Sequence, residues 1–352
     1  MDMYIIHPMH NLKFIEDLTI RPNMHFAMIA CGLFIFISGA TITYSNKNRD
    51  VKPIEFYKKR LTRVLIPFYI AYIIYFVIKV VSLKNIFIYG GVPKWQFIWT
   101  VLGLDEYLNA CGVKTFSLGI GEWFLGCIIL CYLIYPFLFK AHKKNKILTF
   151  IVMTVCYIAL NSNYSKFNFV IPSHMNFLCQ VYNFYLGIVF ANIAVGANVI
   201  RPCIGADANR KNVGASYASP GYGDKLRPIL LLVFAIPTIL FFYFYKPIIN
   251  IPDNFKTTIA VVAIIITFYL FENVIANNDI LKNIIVKFNN ISYEFFLVHH
   301  FVIYQVDFML NYQRLDGMTT LGVIIIDLLL TIIFAMLVNR ISKQVYKIKW
   351  IR

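Results

Sequence analysis

Charged residues are scarce in this chain of 352 residues: only 14% are Asp, Glu, Lys or Arg, whereas 59% are hydrophobic. A water-soluble globular protein cannot bury that much apolar surface, so the composition excludes one and predicts a protein partly solvated by lipid. Acidic residues are the scarcer kind, with 17 against 33 basic residues and a net charge of +16. Because the basic residues are scattered among short loops, we predict contact with anionic lipid headgroups and not with nucleic acid.

Several chemical signatures are also missing. The sequence has no Walker A loop, no GxGxxG motif before a helix, no GxSxG elbow and no CxxC pair. It shows no internal repeat, which leaves an inverted-repeat transporter without support. Most of the seven cysteines lie inside apolar runs, and no cluster of His or carboxylates completes a metal site. We expect neither a structural disulfide nor a bound metal or cofactor.

Long apolar runs make up most of the chain, and most are long enough to cross about 30 Å of hydrocarbon as helices. The run at 147–161 is short and needs flanking residues or a thinner bilayer. The stretch 83–120 mixes aromatic and turn residues and predicts an interfacial loop with short helices. The fold class is therefore all-α, a polytopic transmembrane helix bundle in a single domain spanning 1–352. We predict nine complete spans, at 24–44, 64–82, 121–139, 147–161, 176–199, 228–246, 257–275, 291–311 and 320–341.

Basic residues alternate in density from loop to loop, which predicts the orientation. One set of loops holds 23 of the 33 Lys and Arg residues and the other set holds 9. Positively charged loops stay in the cytoplasm. This rule predicts a multi-pass protein of the cell membrane with a cytoplasmic C-terminus and with 1–23 outside. The cytoplasmic set consists of 45–63, 140–146, 200–227, 274–290 and the tail from Arg340.

An N-terminus outside the membrane requires translocation, yet the first residues hold neither a basic n-region nor a full apolar core. The apolar residues just before His7 are typical of the end of a helix. We therefore expect 1–23 to be the extracytoplasmic remnant of a truncated first span plus a loop. The alternative is a nine-span protein with a short translocated tail.

Ionisable side chains inside spans are costly and are therefore functional candidates. The run 291–311 holds Glu294, His299, His300 and Asp307. These residues predict either part of a substrate pocket or an interhelical polar network that fixes packing.

Two further groups of candidates lie at span ends. Glu122 and Trp123 open the run 121–139, where Trp is typical of the membrane interface and Glu122 could line an acceptor pocket. Arg60 and Arg63 are three residues apart and share a helix face, where two guanidinium groups could hold phosphates. Ordinary positive-inside anchoring is the alternative for this pair.

Four sequence blocks, in order, resemble the acyltransferase-3 family of membrane acyltransferases. They are LFIFISG at 33–39, FYKKRLTRVLIP at 56–67, EWFL at 122–125, and NISY with LVHH at 290–293 and 297–300. The resemblance implies ten spans, of which the first is incomplete here. It also implies that Arg60 and Arg63 bind the phosphates of an acyl-CoA. The small pair Ser38-Gly39 favours close helix packing over a role for Ser38 as an acyl relay.

The resemblance further implies a catalytic His on the first span, preceded by an Arg eleven positions earlier. His7 matches this His best and His10 is the second choice, while the Arg would fall before Met1. A neutral imidazole can act as a general base toward a hydroxyl, and His7 could act so directly or through an acyl relay.

The function implied is an O-acyltransferase that moves an acyl group, most often acetyl from acetyl-CoA as co-substrate, to hydroxyls of a cell-surface or exopolysaccharide. The implied partners are membrane lipid, acyl-CoA, a glycan or lipid-linked glycan acceptor, and polysaccharide-synthesis machinery. The alternatives are a transporter or flippase for a lipid-linked glycan, with Glu294, His300 and Asp307 on a proton path, and a scaffold subunit of a synthase. The identity of the acceptor and of the acyl group is not predicted.

Overall fold

The computed structural model describes residues 20–21, 24–46, 51–83, 91–196, 251–270, 278–310 and 317–347. Within these residues the regular secondary structure is helical apart from one pairing of two-residue strands, β1 (Ile20–Arg21) and β2 (Met24–His25), which run antiparallel. The all-α prediction is therefore confirmed. The helices are α1 (Phe26–Asn46), α2 (Pro53–Leu83), α3 (Phe97–Val101), α4 (Asp105–Ala110), α5 (Glu122–Lys144), α6 (Lys146–Ser162), α7 (Phe177–Gly196), α8 (Asp253–Leu270), α9 (Asp279–Asn289), α10 (Ser292–Leu310) and α11 (Gly317–Val345).

Four helices of the described residues are long and apolar enough to cross a membrane: Phe26–Asn46, Pro53–Val81, Glu122–Lys144 and Thr319–Val345. Two shorter apolar helices cover Lys146–Ser162 and Phe177–Ile193. A helix occupies eight of the nine predicted runs, and the ninth run, 228–246, lies outside the described residues. The prediction of a membrane protein is thus confirmed, while the full set of nine spans stays a prediction.

The helices extend beyond several of the apolar runs that predicted them. α2 begins at Pro53, eleven residues before the apolar run 64–82, so Arg60 and Arg63 lie within the helix and precede its apolar part. The basic residues 58–60 are long straight-chain side chains with good helix propensity, which lets the helix continue past the apolar part. The predicted loop 83–120 contains the short helices α3 and α4, as expected.

The described residues form two compact units. Those within 48–181 and 289–352 belong to the first unit, and those within 20–47 and 182–288 belong to the second. In the first unit α10 and α11 pack on each other and on α2, α2 also packs on α5, and α4 packs on α5. In the second unit α1 packs on α8.

Buried and partly buried tyrosines join the helices of the first unit. The Tyr75 ring stacks on that of Phe301, and its hydroxyl donates to the Val298 carbonyl oxygen at 3.0 Å, which ties α2 to α10. The Tyr293 hydroxyl of α10 donates to the Val64 carbonyl oxygen of α2 at 2.8 Å. Each tyrosine buries a large ring while its hydroxyl remains hydrogen-bonded, so the apolar interior carries no uncompensated polar cost at these points.

Close backbone contacts hold the second unit together. A β-carbon added at Gly39 of α1 would lie 2.1 Å from the carbonyl oxygen of Phe184 in α7, and one at Gly187 would lie 2.1 Å from that of Phe36. Only glycine fits such contacts. The prediction that Gly39 serves close helix packing is confirmed.

Candidate functional site

A carboxylate–imidazole pair lies where α5 begins. Oε1 of Glu122 is 2.7 Å from Nδ1 of His300, which is on α10. The His300 ring is buried, and Glu122 is the first residue of its helix. The Glu122 carboxylate pairs with Nδ1 of the His300 imidazole. Nε2 is the ring nitrogen that does not pair with Glu122. The structure therefore brings together two residues that the sequence analysis singled out from separate blocks.

The backbone leading into Glu122 follows an unusual path. Gly119, Gly121 and Glu122 have φ angles of +78°, +69° and +45°. Left-handed conformations cost a non-glycine residue of the order of 1 kcal/mol or more and persist only where surrounding contacts impose them. We call 117–121 the entry turn, and its path delivers the Glu122 carboxylate to His300.

A second carboxylate holds the entry turn. Glu106 of α4 accepts hydrogen bonds from the Ser117 hydroxyl and from the Gly119 backbone N–H. Its side chain is buried, with only 7% of the residue exposed. Burial raises the pKa of the Glu106 carboxyl, the hydrogen bonds from Ser117 and Gly119 lower it, the charge of Glu122 raises it and that of His300 lowers it. Both members of the pair thus influence the pKa of the Glu106 carboxyl.

Asp105 anchors the same region from the neighbouring position. Its carboxylate accepts from the Glu106 N–H at 2.9 Å, and its carbonyl oxygen accepts from the Thr115 hydroxyl at 2.9 Å. Burial, with a smaller contribution from the charge of Glu106, raises the pKa of the Asp105 carboxyl from 3.8 to about 8. Two adjacent buried carboxyls therefore lie beneath the entry turn.

Aromatic rings surround the pair. The His300 ring makes edge contacts with His299 and Tyr304, at centroid distances of 4.2 and 5.8 Å. Nδ1 of His299 is 2.7 Å from the Phe296 carbonyl oxygen, so His299 is held by its own helix. Trp123 is buried, and its ring contacts that of His174 edge-on. This environment combines hydrogen-bonding groups with aromatic surface, a combination that suits polar ligands with apolar faces.

Arg60 and Arg63 lie in a different part of the first unit. Arg60 is half-buried and interacts electrostatically with Tyr132 and Tyr135 of α5 and with Arg63. Tyr132 is ten residues after Glu122, which corresponds to about 15 Å along a helix. We call the two regions the Glu122 end and the Arg60 end.

Glu294 belongs to the Arg60 end. Its carboxyl interacts with the charges of Arg63 and Lys343 and with the side chain of Asn339. The Tyr346 hydroxyl, after the end of α11, donates to the Arg63 carbonyl oxygen at 3.0 Å and so fastens the end of the chain to α2. The candidate residues of 291–311 are thus divided between the two ends, with Glu294 at one and His300 at the other.

Other candidates cannot be placed. His7 and His10 lie outside the described residues, and so does the side chain of Asp307. Among the residues that the structure describes, no three His, Cys, Asp or Glu side chains are grouped so that they could hold a metal ion. None of the six described cysteines is joined in a disulfide within the part of the chain that the structure describes.

Glu106 and Asp105 are the site residues that the sequence analysis missed. They lie in a stretch interpreted as an interfacial loop, where acidic residues are ordinary. The sequence does contain an indication of them: two acidic residues stand side by side between Leu104 and Tyr107, in a chain with only 17 acidic residues. A motif search does not find them, because the groups they hold come from a turn that only the fold defines.

Comparisons with known proteins give one match. A family model, acyltransferase-3, whose description is an acyltransferase domain, matches residues 3–340. No curated protein and no solved structure matches the chain.

Proposed function

The chain belongs to the acyltransferase-3 family, and we propose that it is an O-acyltransferase of the cell membrane that moves acetyl from acetyl-CoA to hydroxyls of a cell-surface or exopolysaccharide. The observation that carries this proposal is the family match over 3–340. The acyl donor, the acceptor and the orientation are parts of the proposal.

The charges at the two ends of the first unit support separate donor and acceptor sites. The Arg60 end holds Arg60, Arg63 and several tyrosines. Guanidinium groups bind phosphate oxygens in a bidentate manner, so this end suits the phosphates of acetyl-CoA. The basic residues in the last turn of α5 favour a cytoplasmic position for this end, on the side where acetyl-CoA occurs.

The Glu122 end then faces the outside, where surface glycans and lipid-linked glycans reside. Two carboxylates lie near one imidazole there, and anionic phosphates are disfavoured beside them. Sugar hydroxyls donate hydrogen bonds to carboxylates and imidazole, so this end suits the acceptor. His7, or His10 as the second choice, would be the general base implied by the family resemblance, acting on the hydroxyl directly or through an acyl relay.

The first test measures ester-linked acetate released from surface glycan by mild alkali. A strain lacking the gene would be complemented with the wild type, with His7→Ala, with the double variant Arg60→Ala/Arg63→Ala, or with the control Lys58→Ala/Lys59→Ala. The control removes the same two charges from exposed side chains on the same helix. We expect acetate to return with the wild type and the control, and to fall about 100-fold or more with the other two.

Different outcomes separate the alternatives. Unchanged acetate in every strain, with all proteins present in the membrane, would contradict O-acetylation. Movement of glycan across the membrane that depends on a proton gradient but not on Arg60 and Arg63 would indicate a glycan transporter instead. An equal loss in the control variant would show that positive charge in general is needed, and not a phosphate site at the two arginines.

A further inference from the structure

We propose that Glu106 is a positioning residue for the Glu122–His300 pair, and that this pair binds a hydroxyl group of the glycan acceptor. The inference rests on the proposed acyltransferase function and assigns the acceptor site to named residues. It begins from a feature that an ordinary interfacial loop does not need, a buried carboxylate enclosed by the turn that it supports.

The first step concerns what Glu106 holds. It accepts from the Ser117 hydroxyl and the Gly119 N–H, which lie 11 and 13 residues later in the chain. Both donors belong to the entry turn, and the first residue after that turn is Glu122. Loss of the carboxylate would leave two donors without their acceptor and release the turn at its middle.

The second step concerns how closely the turn is constrained. A β-carbon at Gly121 would lie 2.9 Å from Leu297 and 3.1 Å from Leu125, so the turn passes directly against α10 and the start of α5. Leu297 lies three residues before His300, on the same face of α10. The position of the turn therefore determines both the direction of the Glu122 side chain and its distance from His300.

The third step concerns what the pair can bind. Glu122 at Nδ1 favours the tautomer in which Nδ1 carries the proton, and Nε2 is then an acceptor for a hydroxyl hydrogen. The aromatic rings of His299 and Tyr304 beside His300 offer apolar surface for the face of a sugar ring. A neutral polyol fits these groups better than a phosphate does, because Glu106 and Glu122 are both carboxylates.

The test uses full-length protein in lipid nanodiscs, with acetyl-CoA as donor and, as acceptor, cell-envelope glycan of the parent strain de-O-acetylated with mild alkali. Initial rates give separate kinetic constants for donor and acceptor. We expect Glu106→Ala to lower kcat/KM for the acceptor about 10- to 100-fold, because a small misplacement of a binding group has effects of that size. The KM for acetyl-CoA should stay within about twofold, since the Arg60 end is untouched.

A double variant separates positioning from general damage. If Glu106 acts through His300, Glu106→Ala should cause little further loss, less than about twofold, when it is added to His300→Gln. Glu106→Gln retains an acceptor oxygen for the two donors and should recover activity to within about threefold of the wild type. Ser117→Ala, which removes one of the two donors, should show a smaller loss in the same direction.

Asp327→Asn is the control for burial. Asp327 is as buried as Glu106, with 7% exposed, and lies on α11. The kcat/KM of Asp327→Asn for the acceptor should stay within about twofold of the wild-type value.

Three results would overturn the inference. One is that Glu106→Ala lowers kcat/KM for the acceptor by the same factor with and without His300→Gln. Another is that Glu106→Ala also raises the KM for acetyl-CoA. The third is a wild type that transfers no acetyl group, which refutes the proposed function as well. In the first two cases the acyltransferase proposal survives and only the role of Glu106 fails.

Discussion

At the scale of single residues, the entry turn and Glu122 directly after it contain three left-handed backbone positions, and the buried carboxylate of Glu106 holds the turn. Glu122 is the informative member because its φ of +45° is unfavourable for a residue with a side chain. A helix could begin at this point with glycine and avoid that cost. Glutamate, unlike glycine, supplies a carboxylate at this position, and that carboxylate lies 2.7 Å from His300. The contact with His300 explains why a glutamate is present despite the backbone cost.

Gly121→Ala should destabilise the protein by about 1–3 kcal/mol, because the new methyl group adds backbone strain at φ +69° and meets Leu297 and Leu125. The measurement is the thermal unfolding midpoint in detergent. Gly91→Ala is the matched control, because Gly91 also has a positive φ, +87°, but no atom within 4 Å of an added β-carbon. Equal losses at both positions would show that contact with α10 is unimportant.

Asp105 predicts a pH dependence of stability. Its pKa is about 8 in the folded protein, against 3.8 as the ordinary value, so between these values the folded state binds a proton that the unfolded state has lost. The stabilisation from this proton is complete below about pH 4 and is lost as the pH rises toward about 8. Asp105→Asn cannot titrate, so its unfolding midpoint should fall less than that of the wild type between about pH 5 and about pH 8. An equal fall of the unfolding midpoint in the two proteins would contradict the prediction. Glu106 remains in both proteins and contributes to this fall in the same direction.

At the scale of helices, glycines set how closely α1 and α7 approach within the second unit. Gly39 and Gly187 each meet a backbone carbonyl oxygen of the opposite helix, and a backbone atom cannot rotate away as a side chain can. The sequence predicted this at Gly39 from the pair Ser38-Gly39. It did not predict Gly187, because a single glycine does not reveal which helix it faces.

Gly187→Ala should therefore separate α1 from α7 and cost about 1–3 kcal/mol of unfolding free energy. The readouts are the thermal midpoint in detergent and the amount of protein in the membrane. Gly322→Ala on α11 is the control, because an added β-carbon there meets no atom within 4 Å. Its stability should be unchanged or slightly higher, as alanine is the better helix former. A neutral Gly187→Ala would contradict the close approach.

The helices show what apolar patterning can and cannot predict. The runs placed eight helices correctly, because hydrocarbon length and helix rise together fix the size of a span. They missed α9, in a stretch treated as a loop, because α9 is amphipathic: its apolar residues, such as Ile280, Ile284 and Phe288, recur at helical spacing between polar residues and form no continuous apolar run. The apolar run 64–82 does not by itself show where α2 begins, because charged residues can continue a helix beyond the apolar part.

At the scale of the whole molecule, the proposed orientation makes the two ends of α6 differ in accessibility. Asn145 precedes α6 among basic residues, and Ser165 follows it in an exposed segment. In intact cells, a membrane-impermeant maleimide should label Ser165→Cys above the background of the parent protein. It should label Asn145→Cys only after permeabilisation. The reverse pattern would invert the orientation and place the Arg60 end outside.

The site was predictable from sequence only in part. His300 was singled out because ionisable groups inside spans are costly, Glu122 because it lies close to the bilayer, and Arg60 and Arg63 because they share a helix face. Their grouping was not predictable, since Glu294 and His300 lie six residues apart and yet belong to different ends of the first unit. Glu106 was missed because its role depends on the path of a turn, and a turn held by one carboxylate leaves no periodic pattern in the sequence.

The short sequence separation within the entry turn has a consequence for biogenesis. The groups that Glu106 binds follow it within 13 residues, whereas His300 belongs to a helix near the end of the chain. During synthesis the carboxylate can capture its turn as soon as α5 has entered the bilayer, long before α10 is made. Glu122 is then already oriented when its partner histidine arrives. The final insertion steps complete the pair without having to rebuild a polar loop against the membrane.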